Sequence, residues 1–283
     1  MTDDGLRAWV NGSLVDPGAP SLAALDHGLT VGDGVFETLR VVDGVPFALT
    51  RHLRRLASSA GGLGLVPPDA DRLREGIDQV LAAAEPLARG RLRLTMTGGV
   101  GPLGSGRADV PPSYVVVAGP VGPHEEATTV AVVPWTRNER SAVAGLKTTS
   151  YAENVVALAY ASARGGTEAL FANTRGQLCE GTGSNVFLAV GARLLTPPLS
   201  SGCLAGITRE LLIEWAIADG VDVAEAELGL DDLRAADEVM LTSSTRDVQA
   251  VAGVDDRRLD APGPLTRRMA ELFARRAADD LDP

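Results

Sequence analysis

Tight-turn dipeptides divide this chain into short strands, and they constrain its fold more than any other feature. Asn11-Gly12 interrupts residues 6–16, and Asp43-Gly44 separates the extended residues 35–42 from residues 45–49. Such dipeptides accept positive φ at both positions, as a two-residue type I′ hairpin requires. Residues 91–97 alternate polar and apolar side chains like a half-buried strand. The sequence therefore predicts mainly antiparallel or mixed sheets rather than a doubly wound parallel sheet.

Helical patterns stand between these strands, and one segment separates two halves of the chain. Helices are predicted over residues 50–60, 69–84 and 208–219 and from about residue 265. Thr50 and Asp69 are the predicted N-caps of the first two. Residues 119–126 are rich in Gly, Pro and charge and form the predicted linker. The prediction is thus two α+β domains, residues 1–118 and residues 127–283.

Composition excludes several classes of function. The 283-residue chain is 45% hydrophobic with a net charge of −11, which fits a globular protein and argues against a nucleic-acid partner. No signal peptide and no membrane span is evident, and two cysteines are too few for a disulfide framework, so a cytoplasmic location is expected. The three histidines are scattered without metal-ligand spacing, so no metal site is expected.

Lys147 is the only lysine of the chain, since every other basic residue is arginine apart from the histidines. An arginine-rich protein that keeps one lysine either retains it by chance or needs an amine that can lose its proton and form a Schiff base. Composition alone does not decide between these readings. An apolar helical run that contains Val155, Val156, Leu158 and Ala159 follows it, and the positive end of a helix dipole beside Lys147 would disfavour its ammonium form.

Four other stretches have the chemistry to hold a phosphorylated aromatic aldehyde, and each has an ordinary reading as well. Thr208 at the start of a helix can bind an anion or simply cap the helix. The hydroxyl-rich residues 242–245 can bind phosphate or form any polar turn. The arginines of residues 51–56 can pair with a phosphate or be solvated. Glu180, before a glycine turn, can bind a ring nitrogen.

Taken together and in order, these motifs resemble those of a known family. The motifs are GDGVFETLRV (32–41), HLRRL (52–56), LKTTSYAENV (146–155), CEGTGSNVF (179–187), LAGITR (204–209) and TSSTRDVQAV (242–251). They are similar to those of the class IV aminotransferases, which are pyridoxal 5'-phosphate (PLP) enzymes of fold type IV. The group includes D-amino acid, branched-chain and (R)-amine transaminases and aminodeoxychorismate lyases. The resemblance covers roughly residues 5 to 255 and implies the two-domain D-amino acid aminotransferase-like fold, with the cofactor in the cleft between the domains.

The resemblance implies a role for each matching residue. Lys147 matches the lysine that forms the Schiff base with PLP and later moves the proton. Glu180 matches the glutamate on the pyridine nitrogen, and Leu204 the leucine that packs on the ring. The phosphate partners that it implies are Arg55, Ile207, Thr208, Ser244 and Thr245. It also implies a homodimer in which a neighbour's loop completes each pocket.

The substrate side departs from every named subfamily. The Arg-x-His pair of D-amino acid transaminases is missing from residues 97–103, whereas Arg93 matches a basic residue of the lyases. The candidates for contacts with substrate are Phe36, Thr38, Arg93 and Arg107, and the ordinary reading of Arg93 is a solvated charge. The expected reaction is transamination between an amino acid and a 2-oxo acid, with D-amino acids favoured and (R)-amines included. The alternatives are an aminodeoxychorismate lyase that releases pyruvate and, more remotely, a cofactor-free Schiff-base enzyme or a binding protein.

Overall fold

A computed structural model of the chain describes residues 5–283. Residues 1–4, with which the predicted N-terminal domain begins, lie outside the described residues. The chain forms two compact units. The first runs through Pro123 and includes Leu146–Tyr151 and Leu281–Pro283, and the second comprises His124–Gly145 and Ala152–Asp280. Lys147 therefore groups with the first unit, whereas its sequence position assigns it to the C-terminal domain.

Six strands form one antiparallel sheet in the first unit. They are β1 (Arg7–Val10), β2 (Ser13–Val15), β3 (Gly34–Val42), β4 (Val45–Pro46), β5 (Arg89–Thr97) and β6 (Ser113–Pro120), in the spatial order β2-β1-β6-β5-β3-β4. The residues of both predicted turn dipeptides, Asn11-Gly12 and Asp43-Gly44, have positive φ, which confirms the predicted tight turns. β3 pairs with β5 along its whole length, with Thr38 opposite Arg93.

Three helices accompany this sheet: α1 (His27–Thr30), α2 (Leu49–Leu63) and α3 (Ala70–Ala82). Asp69 caps α3 as predicted, because its carboxylate accepts the backbone N–H of Arg72. The predicted cap of α2 is wrong: α2 begins at Leu49, and the N-cap is Ala48 in a left-handed conformation. Thr50 instead donates its N–H and its hydroxyl to Asp282.

The core of the first unit lies between the sheet and helices α2 and α3. Its fully buried side chains include Trp9, Leu39, Leu56, Leu73 and Leu94. Alternation along β3 sends Val35, Leu39 and Val41 into this core. Burying such side chains is the main favourable term in folding.

The second unit contains a mixed nine-stranded sheet, which agrees with the predicted α+β class. Its strands are β7 (Ala127–Arg137), β8 (Glu168–Asn173), β9 (Leu178–Gly181), β10 (Asn185–Val190), β11 (Arg193–Thr196), β12 (Asp222–Glu225), β13 (Glu238–Ser243), β14 (Asp247–Val254) and β15 (Arg257–Arg258). The spatial order is β12-β11-β10-β13-β14-β7-β8-β9, with β15 beside β14. The pairs β11–β12, β14–β7 and β7–β8 are parallel.

The helices of this unit are α4 (Ala152–Ser162), α5 (Ile207–Ala218), α6 (Leu230–Ala235) and α7 (Pro264–Asp279). Ala157 and Ala161 of α4 pack against Phe171 in the core. The larger apolar residues of the same helix, Val155 and Val156, are 64% and 52% exposed. Within residues 5–283, no helix combines the length and the apolar character that crossing a bilayer requires.

Candidate active site

The Lys147 segment is an extended stretch bound to the start of β3. The Phe36 N–H donates to the Lys147 carbonyl at 3.0 Å, and the Thr149 N–H donates to the Gly34 carbonyl at 2.8 Å. On its other side, the Lys147 N–H donates to the Ser59 hydroxyl of α2 at 3.2 Å. The expectation that Lys147 lies at a helix N-terminus is therefore wrong, since α4 begins only at Ala152. Pairing with β3 also explains why this segment groups with the first unit.

The aromatic ring of Phe36 lies beside the amine of Lys147. The Lys147 Nζ is 4.4 Å from the ring centroid, and the Arg93 guanidinium carbon is 3.8 Å from it. Tyr151 packs edge-on against the same ring, with the centroids 5.2 Å apart. Thr38, half-buried, faces Arg93 across the β3–β5 pair. The structure thus brings Lys147, Phe36, Arg93 and Thr38 together on one face of the sheet.

Arg55 of α2 is held by a carboxylate that the sequence motifs did not reveal. Its Nε and Nη2 donate to the two oxygens of Glu37, at 2.8 and 2.7 Å. His52 Nδ1 is 2.7 Å from Glu37 Oε2. Burial raises the pKa of Glu37, but the charge and hydrogen bonds of Arg55 and His52 outweigh it and lower the pKa to about 2. Glu37 is therefore a buried anion at neutral pH.

Glu180 lies on β9 in the second unit, and both of its oxygens have partners. The Leu204 N–H donates to Oε2 at 2.9 Å, and Arg137 Nε lies 3.4 Å from Oε1. Arg137 in turn donates to Asn154 at 2.7 Å and binds Glu153. The Glu180 carboxylate thus lies between a backbone N–H donor and a nearby guanidinium.

Residues 204–208 lead into α5 and are held by Asn185. The Asn185 side-chain amide donates to the Leu204 carbonyl at 2.9 Å. Gly206 is the N-cap of α5, and Ile207 and Thr208, in its first turn, are buried. The backbone N–H groups of a first helical turn lack intrahelical acceptors and are suited to an anion.

Ser244 and Thr245 form the turn between β13 and β14, and a second buried glutamate holds the end of that turn. Arg246 donates to Glu168 at 2.6 Å, and Glu168 also accepts the Thr182 N–H at 2.9 Å. Burial raises the pKa of Glu168, but Arg246 and the hydrogen bonds from Thr182 lower it further than burial raises it. The turn is thereby fixed to strand β8.

The chain matches the model of the amino-transferase class IV family over residues 34–254. This protein belongs to the class IV aminotransferases. A Methanocaldococcus jannaschii protein assigned by name to the branched-chain-amino-acid aminotransferases is 34% identical to it, covering 95% of both chains. A Mycobacterium tuberculosis protein named as a bifunctional aminodeoxychorismate lyase and D-amino acid transaminase is 31% identical, covering 93% of this chain and 96% of its own.

Solved structures agree with the family. One described as a hypothetical aminotransferase of Mycobacterium tuberculosis in its PLP-bound form is 32% identical, with a TM-score of 0.84, and covers 96% of this chain and 98% of that chain. The predicted fold type IV architecture and the PLP dependence of this aminotransferase are thus confirmed. The cofactor-free Schiff-base enzyme and the binding protein are set aside with that result.

Arg107, the second candidate for a substrate carboxylate, has other partners in this aminotransferase. It donates from Nε and Nη2 to both oxygens of Asp33, at 2.7 and 2.6 Å. It also donates to the carbonyls of Leu63 and Gly64 at the end of α2. These contacts fasten the loop after β5 to the rest of the first unit, so they favour Arg93 over Arg107 as a partner for substrate.

Reasoning from the sequence missed Glu37, His52, Arg137 and Glu168. For Glu37 a signal was present, because an acidic residue interrupts the apolar face formed by Val35, Leu39 and Val41. A charge at such a position needs a partner, and the basic HLRRL motif follows shortly after. No comparable signal marks Arg137, since its partner Glu180 lies 43 positions away on another strand.

Proposed function

We propose that this aminotransferase moves an amino group between an amino acid, with D-amino acids favoured, and a 2-oxo acid, using Lys147 as the lysine that binds PLP. The observation that carries the proposal is the position of the single lysine. Its amine lies 4.4 Å from the Phe36 ring, and that ring also contacts the Arg93 guanidinium. A reactive amine and a carboxylate-binding cation therefore share one aromatic neighbour.

The remaining candidates have the chemistry that PLP needs. Arg55, the first turn of α5 with Ile207 and Thr208, and the hydroxyls of Ser244 and Thr245 are proposed to bind the phosphate. Glu180 is proposed to bind the pyridine nitrogen, and Leu204 to pack on the ring. PLP, when bound, supplies an electron sink for the substrate Cα. The amine of Lys147 removes the Cα proton as a base and returns it as an acid.

Arg93 is proposed to bind the substrate carboxylate, with Phe36 and Thr38 beside it. Its guanidinium offers two parallel N–H donors to a carboxylate. A substrate without a carboxylate, such as an (R)-amine, would lose this contact, so amino acids are the better substrates on this proposal. The preference for D-amino acids rests on the named activity of the Mycobacterium tuberculosis relative.

Two other substrates have specific support. Branched-chain amino acids are favoured by the name of the Methanocaldococcus jannaschii relative. Aminodeoxychorismate is favoured by the lyase activity in the name of the Mycobacterium tuberculosis relative. Transamination and lyase chemistry both begin with removal of the Cα proton, so the donors around the cofactor do not separate them.

Cofactor binding is tested first. The purified protein should be yellow, and borohydride should attach the cofactor to a single peptide that contains Lys147. Lys147→Arg keeps the positive charge but cannot form the Schiff base, so it should lose both the colour and turnover. A yellow, active Lys147→Arg protein would disprove the assignment.

Substrate class is tested by three reactions run separately. They are D-alanine with 2-oxoglutarate, L-leucine with 2-oxoglutarate, and aminodeoxychorismate alone. Amino transfer from D-alanine is the expected result, whereas faster transfer from L-leucine selects the branched-chain activity. Rapid release of 4-aminobenzoate and pyruvate without amino transfer selects the lyase. Arg93→Gln should raise KM for the amino acid strongly, while Arg91→Gln, two residues away on the same strand, should not.

A homodimer is also proposed, because the first unit exposes apolar side chains on two segments that are hydrogen-bonded to each other. Backbone hydrogen bonds join residues 25–27 to residues 99–101. Exposed apolar side chains come shortly after each segment in the sequence, and the most exposed are Leu29 at 71% and Leu103 at 80%. Surfaces of this kind are typical of contacts between subunits. Light scattering should show a dimer that Leu103→Glu dissociates, whereas Leu14→Glu, at another exposed leucine, should leave the mass unchanged.

A further inference from the structure

Strand β5 carries three arginines on one face. Arg89, Arg91 and Arg93 alternate along it with buried residues, and alternate side chains of a strand point to the same side of the sheet. The chain as a whole is acidic, since 37 Asp and Glu residues outnumber 26 Lys and Arg residues. Positive charge is therefore concentrated here against the composition of the protein. We call these three residues the arginine stripe.

The strands beside β5 do not neutralise the arginine stripe. Arg91 lies opposite Arg40 on β3 and Gly119 on β6. Arg93 lies opposite Thr38 on β3 and a valine on β6. Like charges directly opposite each other in an antiparallel pair are unfavourable. Within residues 5–283, no carboxylate forms an ion pair with Arg91 or Arg93, so a negative charge from outside the chain would relieve this repulsion.

The arginine stripe begins beside the Lys147 amine. The Phe36 ring centroid lies 3.8 Å from the Arg93 guanidinium carbon and 4.4 Å from Lys147 Nζ. Burial lowers the pKa of Arg93, and the charge of Arg91 lowers it further against the opposing effect of Tyr151, so the two arginines lie close enough to repel each other. Their positions on β5 are about 6.8 Å apart, because a strand rises about 3.4 Å per residue. Two guanidinium groups at this spacing suit the two carboxylates of a short dicarboxylic acid.

We infer that Arg91 is a specificity-determining residue that binds the distal carboxylate of a dicarboxylic substrate, such as 2-oxoglutarate or the corresponding amino acid. The inference rests on the proposed binding of the substrate α-carboxylate by Arg93. Every amino acid and 2-oxo acid has the carboxylate assigned to Arg93, whereas only an acidic side chain reaches Arg91. Because a guanidinium binds a carboxylate through two parallel charge-assisted hydrogen bonds, acidic substrates are favoured over those with an apolar side chain of equal length.

A substrate with a single carboxylate does not use the Arg91 contact. D-Alanine has a methyl side chain and leaves Arg91 solvated, which is why Arg91→Gln is expected to leave its KM unchanged. The contribution of Arg91 therefore shows in the discrimination between substrates, which is the ratio of their kcat/KM values.

The test compares two 2-oxo acids of the same length. 2-Oxoglutarate has a carboxylate at the end of its chain, where 2-oxopentanoate has a methyl group. Each is mixed with the full-length protein loaded with pyridoxamine 5'-phosphate, and absorbance gives the second-order rate constant of a single turnover. Arg91→Gln should lower the ratio of the two rate constants roughly 10-fold to 100-fold, which is what one charge-assisted contact contributes. Arg91→Lys, which keeps the charge but not the two parallel donors, should lower it less.

A binding measurement without turnover uses unreactive analogues. Glutarate and pentanoate differ in the same way, and calorimetry gives their dissociation constants for the protein loaded with PLP. Arg91→Gln should weaken the binding of glutarate relative to pentanoate by a similar factor. Arg89→Gln is the matched control, because it removes the same charge from the same face two positions before Arg91. It should leave both ratios unchanged.

Several results overturn the inference. An equal loss for both 2-oxo acids in Arg91→Gln means that the residue acts on the fold. An equal fall of the ratio in Arg89→Gln means that the arginine stripe acts as a general field rather than through one contact. An unchanged ratio in Arg91→Gln means that Arg91 is only solvated, and the proposed function stands if Arg93→Gln slows both acids.

Failure of the proposed function has a different signature. A wild-type protein that converts neither 2-oxo acid refutes transamination, and the inference falls with it. An Arg93→Gln protein that converts both acids at the wild-type rates refutes the assignment of the α-carboxylate to Arg93, and the inference falls with that as well.

Discussion

Replacing Gly206 by alanine should disturb the loop that leads into α5 through one identifiable collision. The backbone at Gly206 has φ −70°, which any residue can adopt. A Cβ there would lie only 1.9 Å from Asn185 Oδ1. An ordinary carbon–oxygen contact is about 3.3 Å, so the Asn185 amide must move by more than about 1 Å.

The expected cost follows from what the Asn185 amide does. Its Nδ2 donates to the Leu204 carbonyl, and the Leu204 N–H donates to Glu180. Overpacking typically costs about 1–3 kcal/mol, and a lost hydrogen bond adds about 1 kcal/mol. Gly206→Ala should therefore lower the free energy of unfolding by about 2–4 kcal/mol in a urea titration of the cofactor-free protein. PLP affinity should fall as well, because the displaced loop contains Leu204 and leads to Thr208.

Two comparisons make this prediction refutable. Gly183→Ala is the matched control, since a Cβ at that exposed glycine would meet nothing within 4 Å. In an Asn185→Ala background the colliding atom is gone, so adding Gly206→Ala should cost little. If Gly206→Ala is no worse than Gly183→Ala, or costs the same with and without Asn185, the collision is not the cause.

Three further changes have outcomes fixed by the structure. Leu94→Ala, in the core of the first unit, should lower the free energy of unfolding by about 3–5 kcal/mol through loss of buried contacts and the cavity left behind, as denaturant titration would show. Folding depresses the pKa of Glu37 from its ordinary 4.5 to about 2, so the ionised carboxylate stabilises the fold above pH 4.5 and this contribution is lost as the pH falls toward 2. The free energy of unfolding, measured from pH 6 to pH 3, should therefore depend less on pH in Glu37→Gln than in the wild type. Arg137→Ala should lower turnover more than PLP affinity, since it leaves Glu180 without its nearby cation, and an unchanged kcat would contradict this role.

The fold was predictable to the extent that its signals are local. Turn dipeptides at Asn11-Gly12 and Asp43-Gly44, alternation along residues 91–97 and the cap at Asp69 act within a few residues of themselves. The N-cap of α2 was not predictable in this way. Thr50 has a side chain that suits an N-cap, but its N–H and its hydroxyl donate hydrogen bonds to Asp282, which lies more than two hundred positions away.

The candidate site shows the same difference between local signals, which the sequence reveals, and distant contacts, which it does not. The lone Lys147 and the motif around Glu180 are visible in the sequence, whereas the partners of these residues come from distant strands and helices. Lys147 was expected at a helix terminus because an apolar helical pattern follows it. In the structure its backbone carbonyl and N–H are instead hydrogen-bonded to Phe36 and Ser59. Pairing with an existing strand gives the backbone groups of an extended segment the partners that they need when they are buried.

Strand β3 brings the motifs GDGVFETLR and LKTTSY together in space, although more than one hundred residues separate them in the sequence. Gly34 allows the second motif to approach closely, because a Cβ there would lie 3.0 Å from Thr149 Oγ1. Beyond Gly34, alternation sends Phe36 to the face of Lys147 and Arg93, and Glu37 to the face of His52 and Arg55. A shift of one residue in the register of β3 would exchange these two faces. It would bury an aromatic ring against Arg55 and place a carboxylate beside the Lys147 amine, so the pairing of β3 with β5 and with the lysine segment sets both environments at once.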